Sequence, residues 1–433
     1  MYETVSRRDF LKKAVIAGTA VPTAASLIPD AIPLAEARSV NEKANLAVIG
    51  VAGRGGANLN GVANENIVAL VDIDSKRLGA AAARFPKAKT FDDFRQVFDL
   101  KGLDGVVVST PDHMHAIPVA EALRQGLAVY CEKPLAHSVY EARYLQNLAA
   151  KKNAVTQMGN QIHSGNNYRR VVETIQAGVI GPIHRVHVWQ DGTVKPGKRV
   201  KQGTPPDHIN YDLWLGPAPY RPFHTSHFHF DWRWWWDFGG GQLADFCCHY
   251  IDLPMWALSL KHPKTIVAVG EKVHDGDNKT PGKMKVDYEF PARGDLPAVH
   301  LTWYHGGWKP KGAEVYGKGG AVLFEGEDGR LLADYGTRKL FMEAGKEAAS
   351  IEPTIPNSPG HHAEYIQAIK TGSPTMSNFA YAGVLSEVGL LGNVSYRAGQ
   401  KLEWDAKKLK ATNCPAADQF IKREYRKGWK LEG

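Results

Sequence analysis

The sequence predicts an α/β chain: a doubly wound parallel sheet followed by a second, strand-rich α/β domain. Short apolar strands alternate with helical patterns over the first third of the chain, and a glycine-rich turn follows the first of those strands. From Thr265 onward, strands with period-two alternation succeed one another. A length of 433 residues accommodates two or three domains with full hydrophobic cores.

The N-terminal stretch "SRRDFLKKAVIAGTAVPTAASL" pairs Arg7 and Arg8 ahead of Phe10, Leu11 and a weakly apolar, alanine-rich run. With "LAEA" ending at Ala37, residues 1–37 read as a twin-arginine export signal with a small-residue cleavage site, which places the mature protein in the periplasm or otherwise outside the cytoplasm. That run is too short and too rich in small residues to span a bilayer comfortably. No later stretch reaches about 18 consecutive apolar residues. The expected organisation is therefore signal peptide 1–37, dinucleotide-binding domain 38–160, substrate domain 161–405 and a charged, solvated tail 406–433.

"ANLAVIG", Ala44 to Gly50, is a short apolar strand; "VAGRGG" is the turn after it; "IVALVDID" is a second strand ending at Asp72. A glycine turn after a strand, with a carboxylate about 20 residues on at the next strand's end, is the dinucleotide fingerprint. Here it reads Gly50-x-Ala52-x-x-Gly55, with alanine at the second glycine position and Gly53 and Gly56 beside it to restore room. An acidic Asp72 accepts from ribose hydroxyls and repels a 2′-phosphate, which favours NAD, while nearby Lys76 and Arg77 keep NADP open. "DGVVVSTPDHMHAIPVAEAL" continues with a strand, a break at Pro111 and a helix whose start carries His113 and His115; "AVYCEKPLA" adds a strand ending at Glu132-Lys133-Pro134. Strand ends of a parallel sheet face the ligand crevice, so Thr110, Pro111, Glu132 and Lys133 become site candidates by position.

In "DFGGGQLADFCCHYIDLPMWAL", Asp237 to Leu258, the residues Asp245, His249 and Asp252 recur at helical spacing after three glycines. Spacing alone leaves two readings open: a packed helix with hydrogen-bonded polar residues, or a proton-handling site. A metal site is disfavoured because no motif supplies a third or fourth ligand. Cys131, Cys247, Cys248 and Cys414 lack metal or redox spacing and read as packing residues. Net charge is +8, but Lys and Arg are scattered, which argues against nucleic-acid binding.

The fingerprint, "STPDHMH", "CEKP" and "GGGQLADFCCHYID" together resemble the Gfo/Idh/MocA family of glucose-fructose oxidoreductase, inositol dehydrogenase and their relatives, over nearly all of the chain after the signal. The resemblance implies an N-terminal Rossmann domain and a C-terminal α/β domain whose open, predominantly antiparallel mixed sheet forms a dimer face. It implies NAD(P)-dependent hydride transfer on a sugar, cyclitol or related polyol. It assigns Lys133, Asp245 and His249 as the catalytic group: His249 takes the hydroxyl proton, Lys133 donates to the developing oxygen and Asp245 orients substrate or imidazole. With the fingerprint and the strand ends, the expected cofactor contacts are Gly50, Ala52, Gly53, Arg54, Gly55, Asp72, Thr110, Pro111, His113, His115, Glu132 and Lys133. Arg233 and Trp235, in "FHTSHFHFDWRWWWDF", and Tyr304, at a strand end, are candidate substrate contacts. Export to a compartment without free nicotinamide nucleotides favours a cofactor held and recycled in place. Two alternatives share the fold: an NAD-dependent glycoside hydrolase working by transient oxidation, and a non-catalytic sugar-binding protein.

Overall fold

The computed structural model describes residues 42–198 and 202–432, all within one unit, Arg38–Gly433. The export signal expected over residues 1–37 lies outside the described residues.

The first sheet holds β1 (Asn45–Ile49), β2 (Asn66–Val71), β3 (Lys89–Phe91), β4 (Gly105–Val108), β5 (Ala128–Cys131) and β6 (Thr156–Met158). All pairings are parallel, in the order β3-β2-β1-β4-β5-β6. Continuous apolar runs such as "VVV" in β4 suit strands buried on both faces, and every residue of β4 and β5 is buried. Crossover helices α1 (Arg54–Gly61), α2 (Ser75–Arg84), α3 (Ala116–Arg124) and α4 (Val139–Lys152) connect them. The helix α4 starts on a capping box in which Ser138 and Glu141 satisfy each other's backbone N–H groups. Strand order reverses between β1 and β4, and at such a switch point the loops diverge and leave a crevice.

After α5 (Asn166–Gln176) the chain builds a nine-stranded sheet. Its strands are β7 (Ile183–Gln190), β8 (Thr265–Glu271), β9 (Lys283–Phe290), β10 (Val299–His305), β11 (Gly320–Gly326), β12 (Gly329–Ala333), β13 (Arg338–Met342), β14 (Leu402–Asp405) and β15 (Lys410–Ala411). Only β7 and β10 pair in parallel; the remaining pairs are antiparallel, giving the order β13-β12-β11-β7-β10-β9-β8-β14-β15. Alternation is clean in β9, where Met284, Val286, Tyr288 and Phe290 are buried and their neighbours are not.

Between β7 and β8 lie α6 (Tyr211–Leu215), α7 (Gly241–Tyr250) and α8 (Asp252–Ala257); α9 (His361–Thr371) and α10 (Phe379–Ala398) follow β13. The near-continuous burial of α10, from Leu385 through Ser395, reflects its place against α4, α7 and β8. Each fully buried Leu or Val there stabilises by about 1.5–3 kcal/mol. On the other face of the parallel sheet, the Tyr365 hydroxyl of α9 donates to the Val106 carbonyl at 3.1 Å. These two helices thus fold back onto the first sheet, as the sequence suggested.

The run of strands expected from Thr265 onward is interrupted: Ala313–Tyr316 is a 3-10 turn, and β11 begins only at Gly320. Two further local expectations are corrected. The residues His113 and His115 precede the helix α3, in and just after a 3-10 turn at Asp112–Met114. Residues 406–432 are not simply a solvated tail, because Arg423 and Tyr425 meet the buried Glu141. Arg423 donates to Glu141 Oε1 at 2.8 Å and to the His113 carbonyl at 2.7 Å, the Tyr425 hydroxyl bonds Glu141, and Ile421 and Leu431 are buried.

Candidate functional site

The turn after β1 sets the floor of the site. A Cβ on Gly55 would stand 2.0 Å from the Gly50 carbonyl oxygen, so only glycine lets the start of α1 pack this closely on the strand end. Gly53 faces open space, with nothing within 4 Å of a Cβ built there. The N-terminal turn of α1 therefore presents its free backbone N–H groups to a cleft of about 830 Å³. Asp72, just beyond β2, is fixed by two backbone donors, Val51 N at 3.1 Å and Asp74 N at 3.0 Å. Burial raises its pKa above the ordinary carboxylate value despite those bonds.

Loops after β4 and β5 form the next wall. His115 ties them together: Nε2 lies 2.8 Å from the Thr110 carbonyl and Nδ1 2.8 Å from the Pro134 carbonyl. Burial pushes its pKa down to about 4, so at neutral pH the imidazole is uncharged and donates to one carbonyl at a time. Glu132 is a hub that accepts from Asn58 Nδ2 and Gln161 Nε2, each at 2.9 Å, with Arg54 Nε at 3.9 Å.

Lys133 reaches across to α7. Its Nζ donates to Asp245 Oδ1 at 2.6 Å and to the Asp245 carbonyl at 2.5 Å, which leaves one of three ammonium protons free. Arg233 Nε lies 3.4 Å from the same Oδ1. The position of α7 depends on the glycines before it, since a Cβ on Gly239 would sit 2.8 Å from Arg233 Cα. Burial opposes charge on both Asp245 and Lys133, yet their mutual attraction wins: the carboxyl is held below, and the ammonium above, its usual pKa. His249, one helical turn after Asp245, lines the same cleft. Burial, then the Lys133 charge, pushes its pKa down to about 3, so it is a neutral imidazole at physiological pH. His249 Nδ1 and Thr110 Oγ1 are buried atoms of this cleft with no hydrogen-bond partner among the described residues. Such orphans suit a site that a ligand completes.

Among the expected residues, Gly50, Ala52, Gly53, Arg54, Asp72, Thr110, Pro111, His115, Glu132, Lys133, Arg233, Asp245 and His249 line the cleft; Gly55 shapes it from behind. Three do not reach it. His113 is fully buried with Nε2 2.8 Å from the Trp214 carbonyl, Trp235 packs in an aromatic cluster with Nε1 on the Ser226 carbonyl, and the Tyr304 hydroxyl meets His187 on the second sheet. Their aromatic and strand-end contexts carry no information on which side faces the crevice. Asp252 likewise does not pair with His249; it faces His163 at 3.0 Å and Tyr381 at 2.6 Å.

Other cleft residues were not singled out by the sequence. Asp112, beside Pro111 at the end of β4, is buried next to Lys133, Asp245 and Arg233. Burial pushes its carboxyl up to about 8, with Lys133 and Arg233 opposing and Asp245 adding. The strand-end rule that selected Pro111 extends to it. Gln161, His229, Phe246 and Tyr335 line the cleft from distant segments, with no local signal to announce them.

Two family models match the chain: "Oxidoreductase family, NAD-binding Rossmann fold" over residues 44–160, and "Oxidoreductase family, C-terminal alpha/beta domain" over residues 184–431. An inositol 2-dehydrogenase of Rubrobacter xylanophilus is 28% identical over 166 residues, 37% of this chain and 48% of that one. The chain spans about half or less of the length of the curated relatives it matches. Among solved structures, aldose-aldose oxidoreductase of Caulobacter crescentus complexed with glycerol superposes with a TM-score of 0.61 at 15% identity, covering 84% of this chain and 100% of that one. The WlbA dehydrogenase of Bordetella pertussis, in complex with NADH and UDP-GlcNAcA, gives 0.62 at 16% identity, covering 84% and 99%. At these identities the likeness is one of fold.

Proposed function

Because the chain belongs to the Gfo/Idh/MocA oxidoreductase family, with its NAD-binding Rossmann domain, we propose that it moves a hydride between a CH–OH carbon of a sugar, cyclitol or related polyol and NAD. The observation that carries this reading is convergence: Lys133 from the end of β5 and Asp245 and His249 from α7 meet in the cleft floored by the glycine turn. The residues fit the dinucleotide. Open backbone at Gly53 and the start of α1 suit the pyrophosphate, and Asp72 suits the ribose hydroxyls. When bound, NAD supplies the hydride acceptor.

The chain's own residues manage the proton and the charge. Neutral His249 accepts the substrate hydroxyl proton. The free ammonium proton of Lys133 donates to the same oxygen, where charge develops, and Asp245 holds that ammonium in place. Phe246, Trp232 and Tyr335 supply aromatic wall against which the apolar face of a sugar ring packs. With the export signal read from "SRRDFLKK", the proposal extends to an exported enzyme that keeps its cofactor between turnovers.

The test purifies the full chain, denatures it and identifies any released nucleotide, then assays aldoses, polyols and aryl glycosides with added NAD. Expected are bound or tightly binding NAD and activity on at least one polyol or sugar. His249→Gln lowers kcat about 10²–10⁴-fold, the usual worth of a positioned base, and leaves NAD affinity within about twofold. Absence of any NAD binding sinks the reading; release of sugar from an aryl glycoside without net NADH redirects it to redox-assisted hydrolysis.

A further inference from the structure

We infer that Asp74 sets the dinucleotide selectivity of the cleft by occupying Arg77 and His229, the two side chains that would otherwise take a 2′-phosphate. This rests on the proposed binding of NAD in the same cleft.

The ribose end of the cleft is built around three acidic and basic side chains at the end of β2. Asp72 presents its carboxylate there, while Arg77 and His229 line the same wall. Asp74 does not line the cleft; it lies behind, 4% exposed. Its Oδ1 accepts from Lys76 N at 3.0 Å and Arg77 N at 3.3 Å and so caps α2. Its Oδ2 holds the two donor candidates, the Arg77 guanidinium through Nε at 3.4 Å and the His229 imidazole through Nε2 at 3.1 Å.

His229 belongs to the segment between β7 and α7, far along the chain. Ser75 N donates to the His208 carbonyl and Asn210 N to the Ile73 carbonyl, each at 2.9 Å, which pins residues 208–210 of that segment onto the β2 end. A 2′-phosphate at this wall would bring nearly two negative charges beside Asp72 and Asp74 and would have to compete with Asp74 for both donors. A ribose with free hydroxyls needs only Asp72. Selectivity for NAD therefore comes from Asp72 at the cleft and from a second carboxylate, Asp74, that touches no ligand and beneath which lies a latent phosphate cage. That cage combines one residue of the nucleotide-binding half with one of the substrate half.

Asp74→Asn is the informative substitution, because asparagine keeps an N-cap acceptor for α2 and removes the charge. NAD and NADP affinities of the nucleotide-free full chain are measured by titration calorimetry for wild type, D74N and D74N/R77A, with melting temperatures to establish that each is folded. Wild type binds NAD in preference to NADP. D74N shifts the NADP-to-NAD affinity ratio at least about tenfold toward NADP, the worth of one regained charge-assisted hydrogen bond, and R77A added to it removes the gain. An unchanged ratio in a folded D74N, with wild type still binding NAD, overturns the inference and leaves the proposed function standing. Failure of wild type to bind either dinucleotide sinks the proposed function and this inference with it.

Discussion

Lys133→Met removes the ammonium that bridges the two halves of the cleft and keeps the length of the side chain. In the native protein Nζ lies 2.6 Å from Asp245 Oδ1, and the two side chains are only 12% and 16% exposed. Removing one partner of a buried pair leaves the other charge uncompensated, at a cost of about 3–5 kcal/mol. Arg233, 3.4 Å from the same oxygen, remains, so the low end applies: about 3 kcal/mol at pH 8. The pH dependence follows from the direction of each shift. The native Asp245 carboxyl is held below its ordinary value, so its contribution is complete above about pH 4 and is lost only as pH falls further. In the variant, burial is opposed mainly by Arg233 and the carboxyl titrates above its ordinary value. It then takes up a proton as pH falls and sheds most of the penalty by about pH 4. Urea unfolding of wild type, K133M, D245N and K133M/D245N at pH 8 and pH 4 measures this. The gap between wild type and K133M closes at the lower pH, and the double variant recovers most of the loss at the higher. A gap equal at both pH values, or strictly additive variants, would refute the reasoning.

The remaining predictions concern separate parts of the molecule. Asp112 is neutral below about pH 8 and ionised above it; a pH–rate profile with an inflection near 8 in wild type and none in Asp112→Asn checks this. His113, His249 and His361 are buried and uncharged, each pushed down by burial to about 3. Their depressed values mean that stability is whole above about pH 6.5 and is lost as pH falls below it, by about 4 kcal/mol per unit for the three together. Denaturant midpoints at pH 7 and pH 5 read this, and a flat profile contradicts it. Arg423→Ala strands the buried Glu141 carboxylate and costs about 3 kcal/mol, measured by the same unfolding curves; a loss under about 1 kcal/mol would mean that Glu141 finds another partner.

Where local rules decide a feature, the sequence is a sufficient guide. The glycine turn, Asp72 at the end of β2 and Lys133 at the end of β5 follow from strand patterns and from the geometry of parallel sheets; helical spacing puts Asp245 and His249 on one face, and the family resemblance directs that face to the site. What stays hidden depends on side chains that meet across the chain. Nothing near His229 in the sequence says that it reaches Asp74, 155 positions away, and nothing in "DWRWWWDF" distinguishes Trp232, which lines the cleft, from Trp235, which packs behind it. The charge of "QFIKREYRKGW" reads as surface because the buried Glu141 that receives it lies 282 residues earlier. In the second sheet the strand β7, "IHRVHVWQ", lacks clean alternation because Val186 through Trp189 are buried on both of its faces, and its pairing with β10 and β11 becomes visible only in the fold.

The grip of Arg423 on Glu141 and the His113 carbonyl, 282 and 310 positions apart in sequence, has a bearing on how this molecule can be cut. Together with Tyr365 in the sheet and α10 against α4, it means that the nucleotide-binding half borrows its cladding from the far end of the chain. A fragment ending near residue 160 would keep its crossover helices but lose α9 from the sheet and α10 from α4, and a chimera grafting this half onto a foreign partner must carry those later segments along. Modularity by sequence boundary and autonomy in solution are here two different things.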